Sequence, residues 1–141
     1  MAQLTEFLGN HLLMFAALMI IVTMIFKLEL ESRLSKVKQL NPTEAVRLMG
    51  EDNLVILDTR ESSEFSAGHI KGALHIPVSQ MKKRMNELEK YKSRPLLLYC
   101  RSGGRSNYSG RLLSKAGFEN VMNLAGGIMA WSSANLPTTK K

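Results

Sequence analysis

The stretch Pro95-Leu96-Leu97-Leu98-Tyr99-Cys100-Arg101-Ser102-Gly103-Gly104-Arg105-Ser106 holds the only cysteine of the 141-residue chain. Its first half is a short continuous apolar run, the pattern of a strand buried on both faces. Its second half is a glycine-bearing turn, and a helical pattern leaves it. A sulfur is therefore expected where a strand ends, under the N-terminus of a helix beginning near Ser106. Helix amides and loop amides freed by Gly103 and Gly104 together form a nest for an anion. Arg101 and Arg105 add positive charge, which favours the thiolate, the nucleophilic form of cysteine. Arg105 is expected to hold an oxyanion bidentately, which a lysine does less well. The stretch reads as an anion site with a nucleophile at its centre rather than as a small buried hydrophobe.

Outward from this loop, strand and helix signals alternate. Asn41-Pro42-Thr43-Glu44 is a capping box with proline at the first helical position, opening a helix that runs through Ala45, Val46, Leu48 and Met49 to Gly50. Leu54-Val55-Ile56-Leu57 is a second buried strand, ending in Asp58-Thr59-Arg60. A short polar helix covers about Glu61 to Ala67 and breaks at Gly68. Ala73-Leu74-His75-Ile76 reads as a strand halted by Pro77, and Ser79 to Tyr91 as one helix with Met81, Met85 and Leu88 on a face. After the Cys100 loop, Tyr108, Leu112, Leu113 and Ala116 define the buried face of a helix that Gly117 ends. Phe118 to Leu124 forms a last strand, and Gly126-Gly127 opens a helical turn through Trp131. This alternation specifies an α/β fold with a mainly parallel central sheet flanked by helices. In such folds ligands lie beyond the carboxyl ends of the strands, where Cys100 sits.

The N-terminal part is of another kind. No charged residue occurs from Phe7 to Phe26, and from Leu12 to Phe26 only Thr23 is polar. Such a segment reaches roughly 30 Å as a helix, the thickness of a bilayer core. Met1 to Glu6 carries no basic residue and Phe26-Lys27-Leu28-Glu29 offers no small-residue cleavage site, so a transmembrane anchor is expected rather than a removable signal peptide. His11 and Asn10 are placed at its interfacial end. All 19 Lys and Arg lie at or after Lys27. The positive-inside rule then puts the N-terminus outside and the remainder in the cytoplasm, at the inner membrane. A lone cysteine suits that reducing compartment. From Lys27 on, 19 basic residues face 11 acidic ones, a net +8, which serves solubility or favours an anionic leaflet. The expected organisation is an anchor over 1–27, a helical stalk over 28–39, an α/β domain over 40–136 and a basic tail over 137–141. The stalk reading rests on Leu30, Leu34 and Val37 at helical spacing and on the Glu29–Arg33 pair, with Leu40 closing the helix or forming a short edge strand.

Four motifs then carry a resemblance. Asp58-Thr59-Arg60 with Glu64-Phe65, Gly68-His69-Ile70-Lys71-Gly72-Ala73 with Ile76-Pro77, Cys100-Arg101-Ser102-Gly103-Gly104-Arg105-Ser106, and Leu124-Ala125-Gly126-Gly127 with Trp131 resemble, in this order, a single-domain rhodanese. The resemblance covers roughly Leu40 to Leu136. It implies a ping-pong sulfur transfer in which Cys100 takes the outer sulfur of a donor such as thiosulfate as a persulfide. A thiol or cyanide acceptor then removes it, and no cofactor is needed. It also implies that Arg101, Ser102, Gly103, Gly104, Arg105 and Ser106 bind the substrate, their amides holding the anionic persulfide as an oxyanion hole holds oxygen. An already ionised thiol needs no general base.

The same scaffold serves phosphatases and arsenate reductases, which resemble Cys-x5-Arg. Here four residues separate Cys100 from Arg105, a smaller cradle that suits sulfur better than a tetrahedral oxyanion. A binding module tethered beside a membrane-protein partner is the competing expectation, because a diffusible substrate does not require an anchor. Asp58 and Arg60 are assigned supporting roles, with Asp58 ordering a loop or pairing with an arginine and Arg60 pairing with Glu61 or Glu64. His69 and His75 lack metal-ligand spacing with Cys100, so no metal site is expected. Lys82-Lys83-Arg84 is a solvated helix face without the interleaved aromatics of a nucleic-acid groove.

Overall fold

The computed structural model describes residues 11–34 and 37–140. Residues 7–10 of the apolar segment, and the side chains of Arg33 and Leu34 that carry the stalk pattern, lie outside the described residues. The chain divides into two compact units at Ser35. In the first, helix α1 runs over Leu12–Leu34. Its apolar side chains, Leu13, Ile20 and Phe26 among them, are exposed. A helix of this length and composition fits a membrane span or a signal sequence.

The second unit is a five-stranded parallel sheet in the order β1-β5-β4-β2-β3. Its strands are β1 (Lys38–Leu40), β2 (Val55–Asp58), β3 (Leu74–His75), β4 (Leu96–Tyr99) and β5 (Val121–Leu124). Successive side chains of a strand point to opposite faces, and here both faces are covered. Val55, Leu57, Leu96, Leu98 and Val121 join one core with Met81, Leu88, Leu113 and Phe118. Ile56, Leu97, Tyr99, Met122 and Leu124 join the other with Leu40, Ala45, Ile70 and Trp131. The unbroken apolar run Leu96-Leu97-Leu98 is thereby explained, since no position of that central strand meets water.

Helix α2 (Pro42–Met49) begins with the expected capping box. The Asn41 side chain accepts from the Glu44 amide at 2.9 Å, and Glu44 accepts from the Asn41 amide at 2.8 Å. Helix α3 (Ser62–Ala67) follows β2, helix α5 (Gly104–Lys115) follows β4, and helix α6 (Gly127–Ser133) follows β5. Several expectations are corrected. The stalk helix does not reach Lys38, which already pairs in β1 with Met122, because edge pairing on β5 satisfies its backbone. The single helix over Ser79 to Tyr91 is instead a 3₁₀ turn (Val78–Gln80), one α-turn, α4 (Met81–Arg84), and a 3₁₀ stretch (Met85–Tyr91). The i, i+3 pairs Arg84–Glu87 and Lys92–Glu89 accompany the tightened winding. Tyr108 is 48% exposed; the buried face of α5 carries Ser106, Ser109, Gly110 and Leu113. Gly110 is there because a Cβ would press to 3.2 Å from Val37 and 3.3 Å from Val121. Residues 137–139, read above as the start of a basic tail, are tied into the domain. Thr139 and His69 exchange two backbone hydrogen bonds of 2.8 Å, and the Trp131 indole donates to the Pro137 carbonyl at 3.0 Å.

Candidate active site

The carboxyl end of central strand β4 delivers Cys100 to the start of a tight turn. Gly103, at φ +102°, takes the left-handed conformation that lets the chain reverse into α5. A side chain on it would also crowd Leu124 and Gly126, both 3.4 Å from a Cβ. On the far side of the turn, α6 holds the loop from outside. The amide of Ile128 donates to the Cys100 carbonyl at 2.8 Å and that of Met129 to the Arg101 carbonyl at 3.1 Å. Gly127 lies so close that a Cβ there would overlap both carbonyls. With the carbonyls engaged outward, the loop amides are left to face the sulfur.

The Gly103 amide donates to Sγ at 3.1 Å, and the Ser106 hydroxyl lies 3.4 Å from it. Burial pushes the Cys100 thiol up, but hydrogen bonding from the Ser106 hydroxyl and from the amides of Ser106, Gly103 and Ser102 outweighs it. The thiol therefore titrates below its ordinary value, and hydrogen bonding to the charged form is the cause. The sequence pointed to Arg101 and Arg105 together with the helix and loop amides; of these the amides act on the sulfur, joined by the Ser106 hydroxyl.

Behind Ser106 lies a network that the sequence did not announce. Asn123 of β5 is buried, donates to the Gly103 carbonyl at 3.2 Å and to Gln39 Oε1 of β1 at 2.8 Å, and accepts from the Ser106 hydroxyl at 2.6 Å. Gln39 in turn donates to Asn107 at 3.1 Å. Both Asn123 amide protons are committed to acceptors, so its Oδ1 faces Ser106. The single hydroxyl proton of Ser106 is thus contested by Asn123 Oδ1, by the Gly103 carbonyl at 3.2 Å and by the sulfur. The available signal was a polar residue inside the buried run Val121-Met122-Asn123-Leu124, since buried polar groups require partners.

Among the cations, Arg105 forms a two-pronged ion pair with Glu64 of α3, at 2.8 and 2.9 Å. Its guanidinium is thus held by a carboxylate, not left open to an oxyanion as expected. The hydrogen bonds from Arg105 hold the Glu64 carboxyl down at about 2, and Glu64 raises Arg105 in return. Arg60 pairs with Asp58, Nη2 to Oδ2 at 2.6 Å, rather than with Glu61 or Glu64. It also donates to the Gly68 carbonyl at 2.7 Å. Two residues apart at the end of β2, both groups are buried, so the short path wins over a longer reach to α3. Asp58 thus pairs with an arginine, as the sequence suggested. Arg101 and Ser102 are exposed at the mouth of the loop, and Gly104 opens α5.

His69 and His75 stack on the two sides of Phe65, at 3.8 and 4.4 Å between ring centres. Each also meets a carbonyl, that of Phe65 at 3.0 Å and of Arg60 at 2.8 Å respectively. Among the described residues no cluster of His, Cys, Asp and Glu offers a metal site.

Comparison with known proteins places this geometry. The rhodanese-like domain family matches residues 41–134. The protein YibN of Escherichia coli (strain K12) is 31% identical over 141 residues, spanning 99% of this chain and 99% of its own. A sulfurtransferase of Allochromatium vinosum is 37% identical over 91 residues, 64% of this chain and 83% of that one. Among solved structures, a rhodanese-related protein from Thermoplasma volcanium superposes with a TM-score of 0.67 at 25% identity, covering 74% of this chain and 99% of that one.

Proposed function

This chain belongs to the rhodanese-like domain family, and from that we propose that it is a membrane-anchored sulfurtransferase carrying sulfane sulfur as a persulfide on Cys100. Kinship with a sulfurtransferase supports a sulfurtransferase-like role at the coarse level. The observation that carries the finer reading is the sulfur of Cys100 lying under inward-facing amides and the Ser106 hydroxyl. A thiolate is stabilised there before any substrate arrives, and after transfer the same donors hold the persulfide anion. The step balances: the Cys100 thiolate attacks the outer sulfur of the donor, a new S–S bond forms, and the bond to the inner group breaks. That group leaves with the electron pair, as sulfite when thiosulfate is the donor. A thiol or cyanide then attacks the outer sulfur and restores the thiolate.

In this reading Arg101, Ser102, Gly103, Gly104, Arg105 and Ser106 form the substrate-binding loop, with Asp58 and Arg60 as its structural floor. Residues 1–27 are the anchor, 28–39 the connection and 40–136 the transferring domain, facing the cytoplasm of a bacterial inner membrane. Intact mass after incubation with excess thiosulfate or cysteine persulfide tests it. One added sulfur is expected on the wild type and none on Cys100→Ser. Equal gain in both, or none in either, sinks the proposal.

The apolar helix α1 favours a second reading, a tethered binding module for a membrane-protein partner. Partner capture that survives Cys100→Ser and is lost without α1 would support it. Phosphatase or arsenate chemistry is disfavoured by the four-residue spacing and by the engagement of Arg105 with Glu64.

A further inference from the structure

We propose that Glu64 sets donor choice at this site, and that the preferred donor is an organic persulfide rather than thiosulfate. The inference rests on the sulfur-transfer reading above.

Three arginines surround the loop, and two are already neutralised. Arg60 is paired with Asp58 and Arg105 with Glu64, in both cases through two hydrogen-bonded prongs. Only Arg101, exposed at the mouth, makes no ion pair among the described residues. Beside the loop lies a cleft of about 460 Å³, lined by Arg60, Glu64, Arg101, Ile128, Met129 and Ser132 among others. From α6 it takes Ile128 and Met129 beside two serines, Ser132 and Ser133, and Met129 is 54% exposed.

Thiosulfate carries two negative charges and no carbon. Against a thiolate of Cys100 it would require strong positive potential, and the loop amides already serve the sulfur, which leaves one open guanidinium. It would also leave the cleft largely unfilled. A persulfide R–S–SH bears at most one charge at its reacting end, and its carbon portion can lie on Ile128 and Met129. A carboxylate on that portion meets Arg101. The transfer balances without another reactant: the Cys100 thiolate and R–S–SH give Cys100–S–SH and the thiolate R–S⁻.

The test compares thiosulfate with cysteine persulfide by kcat/KM for sulfur loading on the full chain. The wild type is expected to favour cysteine persulfide. Glu64→Gln releases the Arg105 guanidinium and should raise kcat/KM for thiosulfate about ten-fold relative to cysteine persulfide, the scale of one partly exposed charge. That gain should shrink with added salt, and adding Arg105→Gln should abolish it. Met129→Ser, at an exposed position, removes apolar surface without adding charge and should move the same ratio through loss of persulfide turnover. A wild type that prefers thiosulfate, or a ratio unmoved by both single variants, overturns this inference alone. Failure of both donors to load Cys100 overturns the transfer reading and this one with it.

Discussion

The Ser106 hydroxyl has one proton and three acceptors in reach: Asn123 Oδ1, the Gly103 carbonyl and the sulfur of Cys100. The shortest of these contacts is the one to Asn123, and ionisation makes the sulfur the stronger acceptor. Ser106→Ala removes a hydrogen bond that lowers the thiol pKa, so the pH midpoint for alkylation of Cys100 should move upward. An unmoved or lowered midpoint would leave the amides as the sole source of the depression. Glu64 gives a second expectation. Its folded value of about 2 lies below its ordinary 4.5. Its stabilisation is therefore complete above pH 4.5 and is lost as pH falls toward 2. The pair is part-exposed, so the loss is at most about 1 kcal/mol. Acid unfolding of Glu64→Gln should show a flatter dependence across that window. Cys100 and its loop could be read from the sequence because all the groups that turn the chain there are consecutive. Glu64 could not, because it reaches Arg105 from 41 residues away. Nor could Gln39, which meets Asn123 across 84 residues only once β1 is set beside β5.

At the scale of elements, the contact between α6 and the Cys100 loop controls the amides more directly than any side chain does. Gly127→Ala drives a Cβ into the Cys100 and Arg101 carbonyls and sits at φ +57°. It should cost at least about 2 kcal/mol of stability, more than a simple glycine-to-alanine change. Sulfur loading should fall even at temperatures where the domain stays folded, as followed by denaturant titration alongside intact mass. Leu97→Ala, in a fully buried position of β4, should cost about 2–5 kcal/mol with a lowered midpoint in urea and an unchanged thiol pKa. Strands β2 and β4 were legible as apolar runs because both faces are covered. The 3₁₀ winding over Met85–Tyr91 was not, since Met81, Met85 and Leu88 fit either coil, and only packing against the sheet chooses between them. Edge strand β1 was ambiguous for a similar reason: its backbone partners lie on β5, far along the chain.

For the molecule as a whole, the separation into two units at Ser35 has a direct consequence. Residues 37–140 hold both core clusters and, among the described residues, the groups hydrogen-bonded to the Cys100 sulfur. A chain beginning at Lys36 should therefore fold, remain in the supernatant and load sulfur on Cys100, whereas the full chain should resist carbonate extraction from membranes. Precipitation of the shortened chain would mean that α1 contributes to the domain itself. The apolar helix and the α/β alternation were both visible in the sequence, because each depends on composition and short-range period. The tie of residues 137–139 back to His69 and Trp131 was not, because nothing local marks it. That tie carries a practical consequence. The chain has one tryptophan, buried in the helix whose first turn grips the Cys100 loop, with its indole hydrogen-bonded to Pro137. Its emission is thus a native optical gauge: a blue, shielded spectrum when α6 is seated on the domain, and a red-shifted one when α6 is displaced and the indole meets water.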